Sequence, residues 1–304
     1  MNILVTTKIA NTITMQPFGT EISELNENGL NMGIKNAINY FGGNAIGVVP
    51  FGDQTKVEAY NEADFYGDKL FQHFSQEEIE KATYLVKNSD GLVLPGGLET
   101  RPYELLLARL AYNLGKPIIA MCAGQNALVR ALDGSTKKLS EEEAKKHNNE
   151  KLHKAHGAYA VPGSDYEKIV GPGTFAVNSI HSYVIDNPGP HLSILGYDDE
   201  GHIEVVGNDD LINHFVLASR FHPETIFRQI ANIKEQGGNQ QEIDAIIEDN
   251  KPSFMMFGVF ARACAKISDL NASSVDINDP QFSNMIYPDL EKMSYEDSEN
   301  IFKI

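Results

Sequence analysis

Short runs of β-branched and aliphatic residues alternate with segments of helical periodicity along most of the chain. The apolar run at 3–7 is followed by apolar residues at helical spacing over 30–41, and the run at 91–95 precedes a helical segment at 103–114. This alternation is typical of βα units that build a largely parallel sheet with helices on both faces. We therefore predict an α/β fold, a three-layer sandwich with a mainly parallel central sheet.

The pattern changes after Gly134. Residues 137–154 are charged and poor in apolar side chains, which predicts an exposed loop or a short surface helix. Further short strands are predicted around Ala158 and over 174–178, 192–197, 202–206 and 215–218. These strands indicate a small antiparallel excursion beside the parallel sheet.

The charge balance excludes several kinds of partner. The 304 residues include 42 acidic and 25 basic side chains, a formal net charge of −17. Nucleic acids and anionic membranes are bound by faces rich in Lys and Arg, so neither is expected as a partner. The longest apolar runs, such as 254–261, are too short to cross a bilayer. The first residues lack the features of a secretory signal, and two cysteines do not form a disulfide framework, so we expect a cytoplasmic protein.

A cysteine lies at a sharp turn in the segment 118–125, Ile-Ile-Ala-Met-Cys-Ala-Gly-Gln. Small residues two positions before and after Cys122, Ala120 and Gly124, allow the strand to turn directly into a helix, as in a nucleophile elbow. The N-terminus of that helix supplies free N–H groups and a positive dipole end, which lower a thiol pKa and stabilise an oxyanion. A buried structural cysteine is the alternative interpretation.

A second segment, 215–224, ends in Arg-Phe-His-Pro-Glu. In an extended chain, residues two positions apart face the same side, so His222 and Glu224 can lie together. Alone this is a weak signal, because His and Glu near a strand end are often surface residues. Combined with Cys122 it predicts a Cys/His/Glu triad, in which the histidine activates the thiol and the carboxylate orients the imidazole.

These segments resemble, in order and content, the class I glutamine amidotransferase-like fold, a flavodoxin-like architecture, and within it the γ-glutamyl hydrolase group of peptidase family C26. The resemblance rests on 94–97 (Leu-Pro-Gly-Gly), 115–125, 133–136, His156, 178–181, 199–204, 220–224 and a final helix at 254–264. It implies a catalytic domain over 1–267, with an insertion or linker at 228–252 and a closing helix at 253–267. An acidic tail at 268–304 follows, with eight acidic and two basic side chains.

The resemblance also implies roles for individual residues. Cys122 would be the nucleophile, His222 the general base and acid, and Glu224 its orienting carboxylate. Backbone N–H groups of Ala123 and Gly97 would form an oxyanion hole. The remaining oxyanion-loop or substrate-binding residues implied are Gly96, Glu99, Gln125, His181 and Arg220. This chemistry requires no metal and no organic cofactor.

The departures from the family pattern concern the pocket. The hydrolases carry an arginine directly after the nucleophile, where this chain has Ala123. The family's His-His-Gln becomes His181, Ser182 and Tyr183, and the glutamine before the aromatic-His-Pro-Glu motif becomes Arg220. Because these positions line the expected pocket mouth, the identity of the leaving amine is not transferred from the family.

Other residues could be given chemical roles, and a structural role is favoured for most. Cys264 lies in an apolar helix and is interpreted as inert core. His147, His153 and His156 could form a metal site, but their Lys- and Asn-rich surroundings favour a solvated face. His181 is either a wall of the pocket or a structural histidine.

Three functions remain open. The first is a cysteine hydrolase that cleaves γ-glutamyl amide bonds of a small-molecule substrate without a partner protein, as a monomer or a homodimer. The second is a glutaminase subunit that delivers ammonia to a partner synthase, which would turn over glutamine poorly alone. The third is a non-catalytic binding protein that kept the fold.

Overall fold

A nine-stranded sheet forms the centre of the computed structural model, which describes residues 1–13, 24–29, 31–147 and 155–273. The strands of this part of the chain are β1 (Asn2–Thr6), β2 (Lys8–Ile13), β3 (Glu24–Gly29), β4 (Asn44–Val48), β5 (Gly91–Leu94), β6 (Ile118–Met121), β7 (Ser135–Lys138), β8 (His156–Ala160), β9 (Thr174–Val177), β10 (Tyr183–Asn187), β11 (Ser193–Asp198), β12 (Ile203–Gly207) and β13 (Val216–Ser219). Its α-helices are α1 (Met32–Tyr40), α2 (Gln76–Lys87), α3 (Pro102–Asn113), α4 (Ala123–Ala131), α5 (Glu141–His147), α6 (Asp165–Val170), α7 (Thr225–Glu235), α8 (Gln240–Asp249) and α9 (Lys251–Ser273).

The sheet has a parallel half and an antiparallel half. Its strand order is β4-β1-β5-β6-β13-β12-β11-β8-β9. Neighbours from β4 to β13 run parallel, whereas each pair from β13 to β9 is antiparallel. The predicted sandwich is confirmed, and the antiparallel excursion is a continuation of the same sheet. Two short antiparallel pairs, β2 with β3 and β7 with β10, lie outside it.

The parallel strands are buried on both faces. In β6, Ile119 and Met121 pack into the core beneath α1, α6, α7, α8 and α9, while Ile118 and Ala120 pack into the core beneath α2, α3 and α4. Strands covered on both sides require apolar residues at every position, which explains the unbroken apolar run at 118–121. The carboxyl ends of these strands therefore form a rigid edge for the loops that follow.

The segment 228–252, predicted as a polar insertion or linker, is helical instead. It contains the end of α7 and all of α8. Asn239 caps α8 and forms a capping box with Glu242, while Ile230 and Ile243 are buried. The polar residues of this segment therefore cover the solvent side of two amphipathic helices, which composition alone does not distinguish from a linker.

The closing helix α9 begins at Lys251 and ends at Ser273. Cys264 is fully buried in it, and its sulfur packs so closely on Gly91 that a Cβ there would lie only 2.4 Å away. The prediction of a core cysteine is therefore confirmed. Neither α9 nor any other helix of the described residues is long and apolar enough to span a membrane. Residues 274–304 of the predicted acidic tail lie outside the described residues.

The charged segment 137–154 contains structure beyond the expected surface helix. Residues 135–138 form β7, which pairs with β10, and α5 ends at His147. His147 is only 2% exposed, so its interpretation as part of a solvated face is wrong. His153, predicted with it, lies outside the described residues.

Candidate active site

Cys122 occupies the tight turn between β6 and α4. Its backbone has φ 52° and ψ −113°, a conformation that costs a residue other than glycine about 1–3 kcal/mol. A Cβ on Gly124 would lie 2.0 Å from the carbonyl oxygen of Leu94, so only glycine fits where α4 meets the end of β5. The small residue predicted after the cysteine is therefore required by backbone packing.

His222 lies beside Cys122 because β13 is the parallel neighbour of β6, with Ser219 paired to Met121. The Asn178 side chain fixes the His222 backbone with two hydrogen bonds. Its Oδ1 accepts from the His222 N–H at 2.8 Å, and its Nδ2 donates to the His222 carbonyl at 2.9 Å. This role was not predicted, and its only signal in the sequence was the Asn-Ser-Ile-His segment at 178–181.

The structure brings the three predicted triad residues together. Nδ1 of His222 lies 2.8 Å from Oε1 of Glu224, and the imidazole lies beside the Cys122 side chain, because a Cβ on Gly96 would come within 3.2 Å of both residues. Glu224 is 2% exposed and accepts a longer hydrogen bond of 3.4 Å from Nδ2 of Asn31. A Cβ on Gly96 would lie 2.4 Å from Cε1 of His222. Gly96 is thus needed to leave room for the imidazole.

The charges of this group support a thiolate–imidazolium pair. Burial opposes ionisation of Cys122, but the adjacent His222 and Arg220 charges and the Ala123 N–H outweigh it and lower the pKa of the thiol. Burial likewise opposes the charge on His222, but Glu224 and the thiolate raise the pKa of the imidazole well above its ordinary value. Both shifts favour a thiolate nucleophile and an imidazolium proton donor side by side.

Two backbone N–H groups are placed to stabilise an oxyanion. The Ala123 N–H, in the first turn of α4, contacts the Cys122 sulfur. Gly97 lines the cleft in front of that sulfur, and within the described residues its N–H meets no acceptor. Both positions match the implied oxyanion-hole donors, whose loss typically costs about 3–4 kcal/mol of barrier stabilisation.

Arg220 lies beneath the cysteine turn. It is 1% exposed, and its Nη1 donates to the Cys122 carbonyl at 3.3 Å and to Oδ1 of Asn126 at 2.8 Å. Burial raises the pKa of the neighbouring Glu204 to about 8, although the Arg220 charge works in the opposite direction. Arg220 reaches the cleft wall, but its hydrogen bonds hold the nucleophile turn in place.

His181 forms another part of the cleft wall. It is 6% exposed, and its Nδ1 lies 3.1 Å from the carbonyl oxygen of Tyr183. Burial, and then the charge of Arg220, lower the pKa of His181 to about 2. This histidine is therefore neutral over the physiological range.

Two residues expected at the pocket are engaged elsewhere. Gln125 is fully buried and donates to the carbonyl groups of Glu204 and Ala218, both at 3.1 Å, so its implied substrate contact is corrected to a structural role. Its side chain points to the strands because it follows the cysteine by almost one helical turn. Glu99 lies at the rim, where it pairs with Lys56 at 2.5 Å and Arg101 at 2.8 Å. It positions the Lys56 ammonium, which lines the cleft.

The cleft in front of the triad has a volume of about 400 Å³. It is lined by Lys56, Glu58, Gly97, Leu98, Thr100, Cys122, Ala123, Asn126, Ile180, His181, Ser182, Tyr183 and Arg220. This volume suits a small molecule. The arrangement can carry out acyl transfer, with a thiolate as nucleophile and an imidazolium as acid.

Two sets of side chains near the cleft could hold a metal ion. One comprises His147, His156 and His181, and the other His147, Asp198 and His202. Within each set, one candidate ligand atom per residue lies within 4.8 Å of the others. His147 and His156 are close in the chain and were paired from the sequence, but only the fold adds His181.

Comparisons with known proteins agree with the fold. Residues 101–224 match the family model Peptidase C26, whereas no curated protein sequence matches the chain. A solved structure from Thermoplasma acidophilum, described as part of a GMP synthase, has a TM-score of 0.52 at 14% identity, and the match covers 90% of this chain and 98% of that chain.

A glutamine amidotransferase from Methylobacillus flagellatus has a TM-score of 0.51 at 11% identity, covering 86% of this chain and 94% of that chain. At such identities the structural likeness establishes the fold, and the family match adds the segment that carries Cys122, His222 and Glu224. The chain therefore has the class I glutamine amidotransferase-like fold, and its residues 101–224 are similar to Peptidase C26.

Proposed function

We propose that this protein is a cysteine hydrolase that cleaves γ-glutamyl amide bonds through a γ-glutamyl thioester on Cys122. Family and fold support a hydrolase or amidotransferase at the coarser level. The observation that carries the proposal is the grouping of the triad next to a cleft: the His222 imidazole lies beside Cys122, which lines the cleft, and is hydrogen-bonded to Glu224.

The first half of the reaction is acylation. The Cys122 thiolate adds to the γ-carbonyl carbon, and the N–H groups of Ala123 and Gly97 stabilise the oxyanion that forms. The His222 imidazolium then donates its proton to the leaving amine as the carbon–nitrogen bond breaks. The products of this half are a free amine and the γ-glutamyl thioester.

The second half is hydrolysis of the thioester. Neutral His222 takes a proton from water, which attacks the thioester carbonyl at the same oxyanion position. The carbon–sulfur bond breaks, glutamate leaves, and the Cys122 thiolate and His222 imidazolium are restored. Glu224 keeps the imidazole oriented and stabilises its charge throughout.

The charges of the cleft support a glutamyl substrate. A γ-glutamyl group carries an α-ammonium and an α-carboxylate beyond the reacting amide. The cleft lining includes the carboxylate of Glu58, which also pairs with Arg130, and the ammonium of Lys56, which also pairs with Glu99. One group of each sign therefore faces a zwitterionic substrate.

Trapping of the acyl intermediate tests the proposal. The purified chain is incubated with a panel of γ-glutamyl amides and free glutamine, quenched in acid, and analysed by intact-mass and peptide mass spectrometry. We expect a glutamyl adduct on Cys122 with at least one member, none in C122A, and an undiminished adduct in C264A. Absence of an adduct with every member would refute the hydrolase.

The two alternative functions give different results. A glutaminase subunit would form the adduct mainly from glutamine and would release ammonia slowly until a synthase partner is added. A non-catalytic protein would form no adduct, and its Cys122 would react with iodoacetamide no faster than the buried Cys264.

A further inference from the structure

Three histidines with unpaired nitrogens converge behind one wall of the cleft. Among the residues that the structure describes, neither ring nitrogen of His147 has a hydrogen-bond partner, and the same holds for Nε2 of His156 and Nε2 of His181. All these atoms are buried, and His147 and His181 are 2% and 6% exposed as residues. Buried polar atoms without partners are uncommon in native proteins, so a group of them calls for a physical cause.

The hydrogen bonds of two of these rings define which nitrogen is available. Nδ1 of His156 lies 3.0 Å from the Gly157 carbonyl oxygen, and Nδ1 of His181 lies 3.1 Å from that of Tyr183. A carbonyl only accepts, so in each neutral ring Nδ1 carries the proton and Nε2 carries a free lone pair. Donation of the distal N–H to a backbone carbonyl is the usual arrangement of a metal-binding histidine.

From these observations we propose that His147, His156 and His181 bind a Zn²⁺ ion, a site independent of the proposed hydrolase activity. Three imidazole nitrogens are a ligand set that zinc accepts, with a fourth position left for water. One nitrogen from each ring lies within 4.8 Å of the others. Tetrahedral zinc holds nitrogens about 3.4 Å apart, so binding draws the rings inward by up to about 1.4 Å.

Neighbouring carboxylates offset the charge of the ion. Nε2 of His147 lies 3.7 Å from Oε2 of Glu200 and 3.9 Å from Oδ2 of Asp198. These carboxylates compensate for the guanidinium of Arg220, which acts on His181 from the cleft side. The ion therefore enters a region with negative charge on one side.

The alternative set of His147, Asp198 and His202 is less suitable, because two of its three members, Asp198 and His202, already satisfy each other. Oδ1 of Asp198 accepts from the N–H groups of Glu200 and His202, and its Oδ2 lies 3.0 Å from Nδ1 of His202. Metal binding there would break a completed turn, whereas binding at the three histidines would use atoms without partners.

The location predicts what the ion does. His147 ends α5, His156 begins β8, and His181 follows β9 beside Ile180, whose carbonyl oxygen lies 3.6 Å from Sγ of Cys122. A bound ion would join these three elements and fix the cleft wall next to the nucleophile.

Metal titration of the full chain, free of affinity tags and stripped with a chelator, tests the site. We expect one Zn²⁺ per chain in competition with a chromophoric chelator, and a Co²⁺ form with the visible absorption of tetrahedral nitrogen coordination. H156Q should weaken Zn²⁺ binding at least 100-fold, since loss of a ligand exceeds the 10–100-fold effect of its outer partners. H191Q, at a histidine outside the cluster, should leave binding unchanged.

X-ray absorption of the zinc-loaded wild-type chain keeps the test independent of how variants fold. Three imidazole ligands and no sulfur support the site, while a sulfur ligand near 2.3 Å would place the ion on Cys122 and overturn the proposal. It is also overturned if stripped wild-type protein binds no Zn²⁺, or if H202Q loses binding while H156Q keeps it.

Discussion

Two histidines near Cys122 differ in charge state. Glu224 and Cys122 raise the pKa of His222 well above its ordinary value against the effect of burial. Burial, and then the cation of Arg220, lower the pKa of His181 to about 2. Burial disfavours the charge on both rings, so the adjacent Glu224 and Cys122 are what make His222 an acid, whereas His181 stays a neutral ligand.

The comparison extends to the two halves of the sheet. The triad lies at the carboxyl ends of the parallel strands β6 and β13, on residues close to those strands in the chain. The histidine cluster joins α5, β8 and the loop after β9, in the antiparallel half. Each part of the triad lies in a local turn beside one of two adjacent parallel strands, whereas the histidine cluster needs His181 to meet His147 and His156 across the antiparallel half.

Removal of the nucleophile should have the largest effect. C122A should lower turnover of any γ-glutamyl amide that the wild type cleaves by at least about 10⁴-fold, because no other thiol is near the cleft. C264A is the matched control, and it should keep kcat while losing thermal stability through a core cavity. Amine release measures turnover. Retained activity in C122A would contradict the assignment of Cys122, rather than Cys264, as the nucleophile.

Neutralising the orienting carboxylate should make His222 resemble His181. E224Q should lower kcat by about 10²–10⁴-fold, since an amide neither stabilises the imidazolium nor enforces its tautomer. Loss of the negative charge lowers the pKa of His222, so the alkaline limb of the activity profile should move to lower pH.

Because His222 is then less protonated, the pKa of Cys122 should rise, and iodoacetamide should alkylate this thiol at higher pH than in the wild type. E77Q, on the exposed surface of α2, is the control variant. An alkylation profile identical in E224Q and wild type would contradict the proposed coupling.

A methyl group at Gly96 should displace His222 without changing any charge. G96A places a Cβ 2.4 Å from Cε1 of His222, so the ring must move, and we expect about a 100-fold loss of kcat. G47A is the control, because its Cβ would meet only Cγ2 of Thr7 at an ordinary 3.4 Å. Equal activity in G96A and G47A would contradict the prediction that kcat depends on the position of the His222 imidazole.

The smallest effect concerns His181, which should not change its protonation state near neutral pH. In ¹⁵N-histidine NMR between about pH 5 and pH 8, His181 should keep the signals of a neutral ring, while His222 stays protonated at neutral pH. Below about pH 6.5, His181 is protonated in the unfolded chain but stays neutral in the folded chain, whose His181 has a pKa of about 2. This residue therefore contributes stability that falls as pH drops from about 6.5 toward 2, so denaturant titrations of H181N should show a shallower loss in acid.

Local patterns predicted the parallel core well. The helical segment expected at 103–114 is α3, and the strand expected before Cys122 is β6. The segment 228–252 was predicted wrongly because its polar composition resembles a linker, although Ile230 and Ile243 anchor two amphipathic helices. Composition averages over a helix, whereas burial depends on one face.

The sequence alone determined which chemistry is available: a cysteine between small residues at a strand end, and a histidine two residues before a glutamate. These features depend on turn geometry within a few residues, so they are visible without the fold. Only the tertiary structure decided the side-chain partners. It turned Gln125 toward the strands, placed Arg220 beneath the nucleophile, and joined His147, His156 and His181, because strand order and burial bring together residues that no local pattern relates.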